Sequence, residues 1–179
     1  MNLYSGAMKR LTLMRHAKSS WDKPDVHDFD RTLNERGRKA APLMGVYMKE
    51  NRLIPDCILC SSAVRTRQTL ELILPYFDGA AEVSFSDRLY LASPGEMLKQ
   101  IKAVSDQYAH ILIIAHNPGT HMLALNLIDP DHSNSAAIAI LAENFPTAAL
   151  AHFELEITRW REANSGRGAL KTFTTPRSL

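Results

Sequence analysis

Residues 11–21 read LTLMRHAKSSW, in which a short apolar run, Leu11 to Met14, stops at Arg15 and His16 and gives way to small polar residues. Four residues are too few for a helix, and this composition is typical of a buried strand, so the Arg-His pair would lie at the strand's carboxyl end. Ligands of open α/β sheets bind at that end. Because arginine is almost never buried without an anionic partner, the stretch predicts either a capped strand end or an anion site.

The composition indicates an ordinary globular protein. A length of 179 residues favours a single domain, which we expect over residues 8–179 after a short N-terminal extension, residues 1–7. A formal charge of +2 is too small for the dense basic footprint of a nucleic-acid-binding protein. No apolar stretch approaches the roughly 20 residues of a membrane span, and residues 1–10 lack the apolar core of a signal peptide. We therefore expect a cytoplasmic protein with no nucleic-acid or membrane partner, whose oligomeric state stays open.

Strand-like and helix-like segments alternate along the chain. This alternation predicts an α/β fold, a three-layer αβα sandwich in which helices cover both faces of a mostly parallel central sheet. The predicted strands are residues 11–14, 57–60, 81–85, 110–115, 148–157 and 169–174, and a short helix is expected over residues 135–144.

Capping signals give the expected helix ends. Thr32 to Glu35 matches a capping box that would open a helix reaching about Arg52, which Pro42 should kink or break. Ser93-Pro94-Gly95-Glu96 opens another helix, which should reach about Tyr108. Asn117 and Pro118 could cap and open a further helix through Leu127.

The two cysteines, Cys57 and Cys60, form a CxxC pair. Redox pairs of this spacing need a helix start, whereas Asp56 to Cys60 reads as a strand, in which residues three apart point to opposite faces. We expect two buried structural thiols.

Three predicted strands lead to basic residues in the same manner. Leu11 to Met14 runs into Arg15 and His16, Cys57 to Cys60 runs towards Arg65, and His110 to Ala115 runs into His116. The carboxyl ends of parallel strands share one edge, so two arginines and two histidines should converge there, near helix starts at Ser62 and Asn117 whose free N–H groups favour anions. Such a set suits phosphate, whose oxygens match the planar fork of arginine.

Positive charge beside a histidine disfavours the imidazolium and keeps the ring neutral. His16 could then attack phosphorus in line and form a phosphohistidine, while Arg15, Arg65 and His116 neutralise the phosphoryl oxygens. No metal is needed for this chemistry. Taken singly, each residue has a plainer interpretation, a structural histidine at a strand end or a solvated arginine on a helix.

Three blocks of the chain resemble the histidine phosphatase superfamily, which has the phosphoglycerate-mutase-like fold. Arg15-His16-Ala17 resembles that family's RHG signature, SSAVRTRQT at residues 61–69 its second block, and IAHNPG at residues 114–119 its third. RHAKSSW at residues 15–21, DFDRTLNERG at 28–37 and NFPTAAL at 144–150 resemble the SixA-like phosphohistidine phosphatase branch. The resemblance covers nearly the whole chain from Met8 onward.

The resemblance implies a phosphatase in which His16 accepts the phosphoryl group and Arg15, Arg65 and His116 form the phosphate pocket. We add Ser19 and Asn117 as candidate phosphate ligands. No metal or other cofactor is assigned, and the partner is expected to be a phosphorylated protein or a small phosphorylated molecule.

The chain also departs from the family pattern. Ala17 replaces the usual glycine, which is tolerable if the local backbone is not left-handed. Asp22 stands where many members have Asn. No Glu lies in Ser86 to Ala92, the segment that corresponds to the one from which many members supply a general acid.

The missing Glu bears on the substrate. Loss of a general acid costs on the order of 100-fold to 10,000-fold when an alkoxide leaves. An imidazole with a reference pKa of about 6.5 scarcely needs one, which favours a phosphoramidate such as phosphohistidine. Asp22, Asp28, Asp30 or Tyr90 could still act as the acid, or there is none, and whether the 22–31 loop closes over the site stays open. A phosphomonoesterase or mutase and a non-catalytic phosphate-recognising module remain alternatives.

Other polar clusters have plainer explanations. Arg36, Arg38 and Lys39 on the first helix, and Arg159 and Arg161 flanking Trp160, are most simply solvated charges, with a docking surface for an acidic protein as the alternative. Asp129, Asp131 and His132 surround Pro130 and suit loop chemistry better than a metal site.

Overall fold

The computed structural model describes residues 8–22, 24–79 and 81–179. The expected extension, residues 1–7, lies outside them. The strands are β1 (Lys9–Arg15), β2 (Cys57–Ser61), β3 (Glu82–Ser86), β4 (His110–Ala115), β5 (Leu150–Leu155) and β6 (Gly168–Thr174). The helices are α1 (Glu35–Glu50), α2 (Val64–Ile73), α3 (Pro94–Lys102), α4 (Gly119–Leu127) and α5 (Ser135–Glu143). None of the described helices is long and apolar enough to cross a membrane.

The six strands form one sheet in the order β3-β2-β4-β1-β5-β6. The first four are parallel, while β5 runs antiparallel to β1 and β6 antiparallel to β5. The predicted mostly parallel sheet is therefore confirmed. Its topology brings the carboxyl ends of β1, β2 and β4, three neighbouring strands, to one edge.

A hydrophobic core lies on each face of the sheet. On one face Leu11 and Leu13 of β1 join the cluster into which α3, α4 and α5 pack, and on the other Met14 joins the cluster of α1 and α2. In β4, the strand next to β1, every residue from Ile111 to Ala115 is buried, as expected for a central strand that helices cover on both faces. These two layers of helices confirm the three-layer αβα sandwich.

Two expectations about helix ends are wrong. The first helix is capped by Asn34, not Thr32, because the Asn34 side chain accepts a hydrogen bond from the Gly37 N–H. That helix continues through Pro42 without the break that was one of the two expected effects, and the buried Ala41 and Met44 beside the proline pack on the core. The helix that begins at Pro94 was expected to reach about Tyr108 but ends at Lys102. The carbonyl of Tyr108 accepts hydrogen bonds from the side chains of Lys9 and Trp160.

The expected fate of the cysteines is confirmed. Cys57 and Cys60 are free, buried and on β2, and they belong to the cores on opposite faces of the sheet. Burial raises the pKa of the Cys57 thiol to about 11 and that of Cys60 to about 12, so both stay protonated and unreactive.

Candidate active site

A cavity of about 360 Å³ opens at the shared edge of β1, β2 and β4. It is lined by all four residues of the predicted quartet, Arg15, His16, Arg65 and His116, together with Lys18, Ser19, Trp21, Asp28, Arg31, Leu91, Asn117 and Thr147. The convergence expected from the strand ends is therefore present in the structure.

His16 follows β1 and is buried. Its Nδ1 lies 2.7 Å from the carbonyl oxygen of Ala17. Because a carbonyl oxygen only accepts, Nδ1 carries the proton and Nε2 keeps its lone pair. Burial, aided by the charges of Arg65 and Arg15, lowers the pKa of His16 to about 3, so the ring is neutral.

Two arginines lie beside this ring. Arg65, buried in the first turn of α2, donates from Nε to His16 Nε2 at 3.3 Å. Arg15, the last residue of β1, donates from Nη1 to the carbonyl of Phe145, and its buried Nε has no partner within the described chain. That buried N–H is therefore left without an acceptor among the described residues.

His116 follows β4, and its ring centroid lies 5.1 Å from that of His16. Its Nε2 lies 2.8 Å from Ser61 Oγ at the end of β2, whereas its buried Nδ1 has no partner among the described residues. Burial and the charge of Arg65 lower the pKa of His116 to about 3. A second neutral imidazole therefore lines the cavity.

Asp28 is the only carboxylate that lines this cavity within the described residues. It accepts hydrogen bonds from Arg65 Nη2 (2.9 Å), Arg31 Nη1 (2.9 Å) and Tyr90 OH (2.6 Å). Burial opposes ionisation of Asp28, but the hydrogen bonds from Tyr90 and Arg31 and the charge on Arg65 prevail and hold its pKa well below the ordinary range. Burial and the bond to Asp28 raise the pKa of Tyr90. The pair is a carboxylate held by a protonated phenol.

Comparisons with known proteins agree with this geometry. Residues 11–118 match the family model described as histidine phosphatase superfamily (branch 1). This chain belongs to the histidine phosphatase superfamily. A protein of Mycobacterium tuberculosis with no assigned function is 35% identical over 165 residues, 92% of this chain and 100% of that one.

The solved structures place this histidine phosphatase in the SixA-like branch, with a phosphoglycerate-mutase-like fold. A proposed phosphohistidine phosphatase SixA from Agrobacterium tumefaciens is 31% identical with a TM-score of 0.79, and the match covers 94% of this chain and 98% of that one. A proposed SixA from Nakamurella multipartitia is 27% identical with a TM-score of 0.82, covering 94% and 96%.

Several sequence expectations about this histidine phosphatase need correction. Neither Ser62 nor Asn117 caps a helix, because α2 is capped by Ala63 and α4 by Pro118. Ser62 bonds to Asp87 instead, and Asn117 Nδ2 donates to the Phe145 carbonyl.

The other candidate residues divide between the cavity and its surroundings. Ser19 lines the cavity, but its Oγ accepts a hydrogen bond from Arg31. Asp22 pairs with Ser20, and both Asp22 and Asp30 lie outside the cavity. The Ala17 backbone is not left-handed, which is the condition on which alanine was expected to be tolerated here. Of the proposed acids, Asp28 lines the cavity, and Tyr90 lies behind it, bonded to Asp28 and packed against the His116 ring.

Sequence reasoning missed Ser61 and Arg31. Ser61 ends β2 at the same edge as the quartet, a position that the strand-end argument could have included. Arg31 lies three residues after Asp28 and is buried, and this spacing on one turn was the available signal. In the described ranges no cluster of three or more His, Cys, Asp or Glu is placed to hold a metal ion, and Asp129 and His132 pair with each other.

Proposed function

We propose that this histidine phosphatase hydrolyses phosphohistidine on a protein, or another N–P compound, through a phosphorylated His16. The other ring nitrogen of the substrate phosphohistidine first takes up a proton from solvent. The lone pair on His16 Nε2 then attacks phosphorus, the P–N bond to the substrate ring breaks, and the ring leaves as neutral imidazole with the bonding electron pair. Water then attacks the phosphorus on His16, which releases inorganic phosphate and restores the free ring.

The surrounding donors suit the developing charge on phosphorus. Arg15 Nε is a buried N–H without a partner, and Arg65 Nε–H already points at the attacking atom. When Ser61 donates its hydroxyl proton to His116 Nε2, the proton of that ring resides on Nδ1, which is the unpartnered atom. Three preorganised donors would stabilise the equatorial oxygens in a partly dehydrated site.

The choice of an N–P substrate rests on one observation, the three hydrogen bonds that the Asp28 carboxylate accepts from Arg31, Arg65 and Tyr90. A general acid needs a proton near neutral pH, but the lowered pKa of Asp28 leaves it without one. Tyr90 has a proton and a raised pKa, so it gives that proton up reluctantly. A site without a ready acid suits an imidazole leaving group, since imidazole leaves far more easily than an alkoxide.

The mouth of the cavity is also compatible with an aromatic leaving group. The exposed Trp21 ring stacks on the Arg31 guanidinium, which lies 3.2 Å from the ring centroid. Arg31 is itself fixed by Ser19 and Asp28. A rigid indole at the rim offers a surface on which the departing imidazole could lie. The names of the two SixA relatives agree with this substrate class.

A substrate panel tests the proposal. Rates are measured with chelator present on a phosphohistidine peptide, a phosphoserine peptide and a sugar phosphate. We expect kcat/KM for phosphohistidine to exceed the ester values by roughly 100-fold or more, the advantage of a leaving group that needs no acid. Ester rates that rival it would favour a phosphomonoesterase or mutase, and phosphopeptide binding without phosphate release would favour a recognition module.

Two variants test the role of Asp28. Asp28→Asn removes the carboxylate but keeps an amide that can accept and donate hydrogen bonds, and Asp22→Asn is the matched control outside the cavity. We expect N–P cleavage by Asp28→Asn to stay within about ten-fold of the parent. A loss on the order of 100-fold to 10,000-fold on ester substrates would make Asp28 a general acid and contradict the proposal.

A further inference from the structure

A second cavity, of about 460 Å³, adjoins the catalytic one, and the two share Lys18 and Thr147 as lining residues. Four segments form its walls: the loop after β1, α1, the residues that precede β5, and the residues that follow β6. We call it the basic groove, and its lining is Lys18, Arg36, Lys39, Ala40, Leu43, Asn144, Pro146, Thr147, Thr175, Pro176 and Arg177.

The wall formed by α1 is held firmly against the catalytic loop. Arg36, Lys39, Ala40 and Leu43 follow helical spacing and occupy one face of α1. Beside them, a Cβ atom on Gly37 would lie 2.2 Å from the Lys18 carbonyl oxygen. The groove therefore keeps a fixed position relative to the site.

The charge of the groove is of one sign. Lys18, Arg36, Lys39 and Arg177 supply four cations, and no Asp or Glu of the described residues lines the groove. Lys39 pairs with Glu35 outside it, but both side chains are more than three quarters exposed, so this pair exchanges easily. Four cations in one groove are a local concentration in a chain whose formal charge is only +2.

We propose that the basic groove binds an acidic segment of the phosphorylated protein substrate, next to the phosphohistidine in the catalytic cavity. The inference rests on the proposed function and adds a sequence preference to it. Charge complementarity carries it, because a groove lined by four cations and by no carboxylate of the described residues attracts an acidic chain. Leu43, Pro146 and Pro176 offer apolar contacts between the charges. Because the two cavities share a wall, the acidic residues of the substrate should lie within a few sequence positions of its phosphohistidine. An extended chain spans about 3.3 Å per residue.

Of the five basic residues that the sequence suggested as a docking surface, two line the groove. Arg36 and Lys39 do so, whereas Arg38 is exposed on the same helix and is not part of the lining. Arg38 is therefore a matched control for charge reversal, because Arg38→Glu changes the net charge as much as Arg36→Glu does. All three side chains lie outside the catalytic cavity.

The test compares three substrates: a phosphohistidine peptide with flanking Asp and Glu, the same peptide with Asn and Gln in their place, and free phosphohistidine. We expect the parent to prefer the acidic peptide, mainly in KM. Arg36→Glu should raise that KM several-fold, and Arg36→Glu with Lys39→Glu should raise it about ten-fold or more at unchanged kcat. Arg38→Glu should change it less than two-fold, and no variant should alter the rate on free phosphohistidine.

Three results would overturn the proposal: equal KM values of the parent for the two peptides, an equal effect of Arg38→Glu, or a matching loss on free phosphohistidine, which would place the phosphoryl group itself in the groove. If neither peptide is dephosphorylated, the proposed function fails, and the groove is still tested separately. In that case fluorescence anisotropy with the unphosphorylated acidic peptide should show binding to the parent and to Arg38→Glu, and loss of binding in the double variant.

Discussion

Replacement of His152 by Asn should reduce the acid sensitivity of the fold. Thr12 lies on β1 between His110 on β4 and His152 on β5. Its Oγ1 is 2.8 Å from His110 Nε2 and 2.9 Å from His152 Nδ1, and all three side chains are buried. Burial lowers the pKa of His110 to about 3 and that of His152 to about 4. An Asn at position 152 can keep a polar atom near Thr12 Oγ1 but cannot take up a proton.

The expected loss of stability at low pH follows from these pKa values. In the unfolded chain the histidine pKa is about 6.5, so below that pH the unfolded state binds more protons than the folded one. The free energy of unfolding therefore has its full value above pH 6.5 and falls as the pH drops below it. Between pH 7 and pH 5 each buried histidine lowers the free energy of unfolding by about 2 kcal/mol, and the pair lowers it by about 4 kcal/mol.

Urea denaturation of parent and variant at pH 7, 6 and 5 measures this effect. At pH 7 the variant should be about 1 kcal/mol less stable, because the ring packing against His110 is lost. Between pH 7 and 5 it should lose about 2 kcal/mol less than the parent does. The exposed His132, whose pKa the ion pair with Asp129 raises, is the control, and His132→Asn should not flatten the curve. Parallel curves for the parent and His152→Asn would refute the reasoning.

Three further predictions follow from the packing of the site and the core. Gly37→Ala should destabilise the fold by about 1–3 kcal/mol in urea because its Cβ would strike the Lys18 backbone, whereas Gly95→Ala, with no atom nearer than 3.9 Å, should not. Ser61→Ala should lower kcat roughly ten-fold with a smaller change in KM, since His116 loses the bond that orients it, and an unchanged kcat would remove that positioning role. The two cysteines should resist alkylation until the protein unfolds, and rapid labelling of native protein would contradict their burial.

The fold could be anticipated because its signals are local. Leu11 to Met14 and His110 to Ala115 are apolar runs that only a sheet covered on both faces can bury, and the helices between them require parallel strands. Helix ends were less predictable. Asn34 displaced Thr32 as the cap, since both residue types can cap and only the tertiary position of Gly37 against Lys18 decides between them.

The quartet of the site was predictable for the same reason, because strand ends in a parallel sheet meet at one edge. The partners that fix the quartet were not. Ser61 contacts His116, 55 residues away, and although Arg31 lies only three residues after Asp28, that spacing alone does not show that the pair also meets Arg65 and Tyr90. The pKa of Asp28 depends on three donors, Arg31, Arg65 and Tyr90, two of which are far from it in sequence. Whether Asp28 can act as a general acid could therefore not be decided from the sequence.

Chemical quench of the enzyme during turnover of a ³²P-labelled phosphohistidine peptide tests the central claim most directly. We predict phosphate bound to the protein in an acid-labile, base-stable linkage, located on His16 by peptide mapping and absent from His16→Ala, which should also be inactive. Full activity of His16→Ala, with no phosphoenzyme trapped from the parent, would contradict the proposed mechanism.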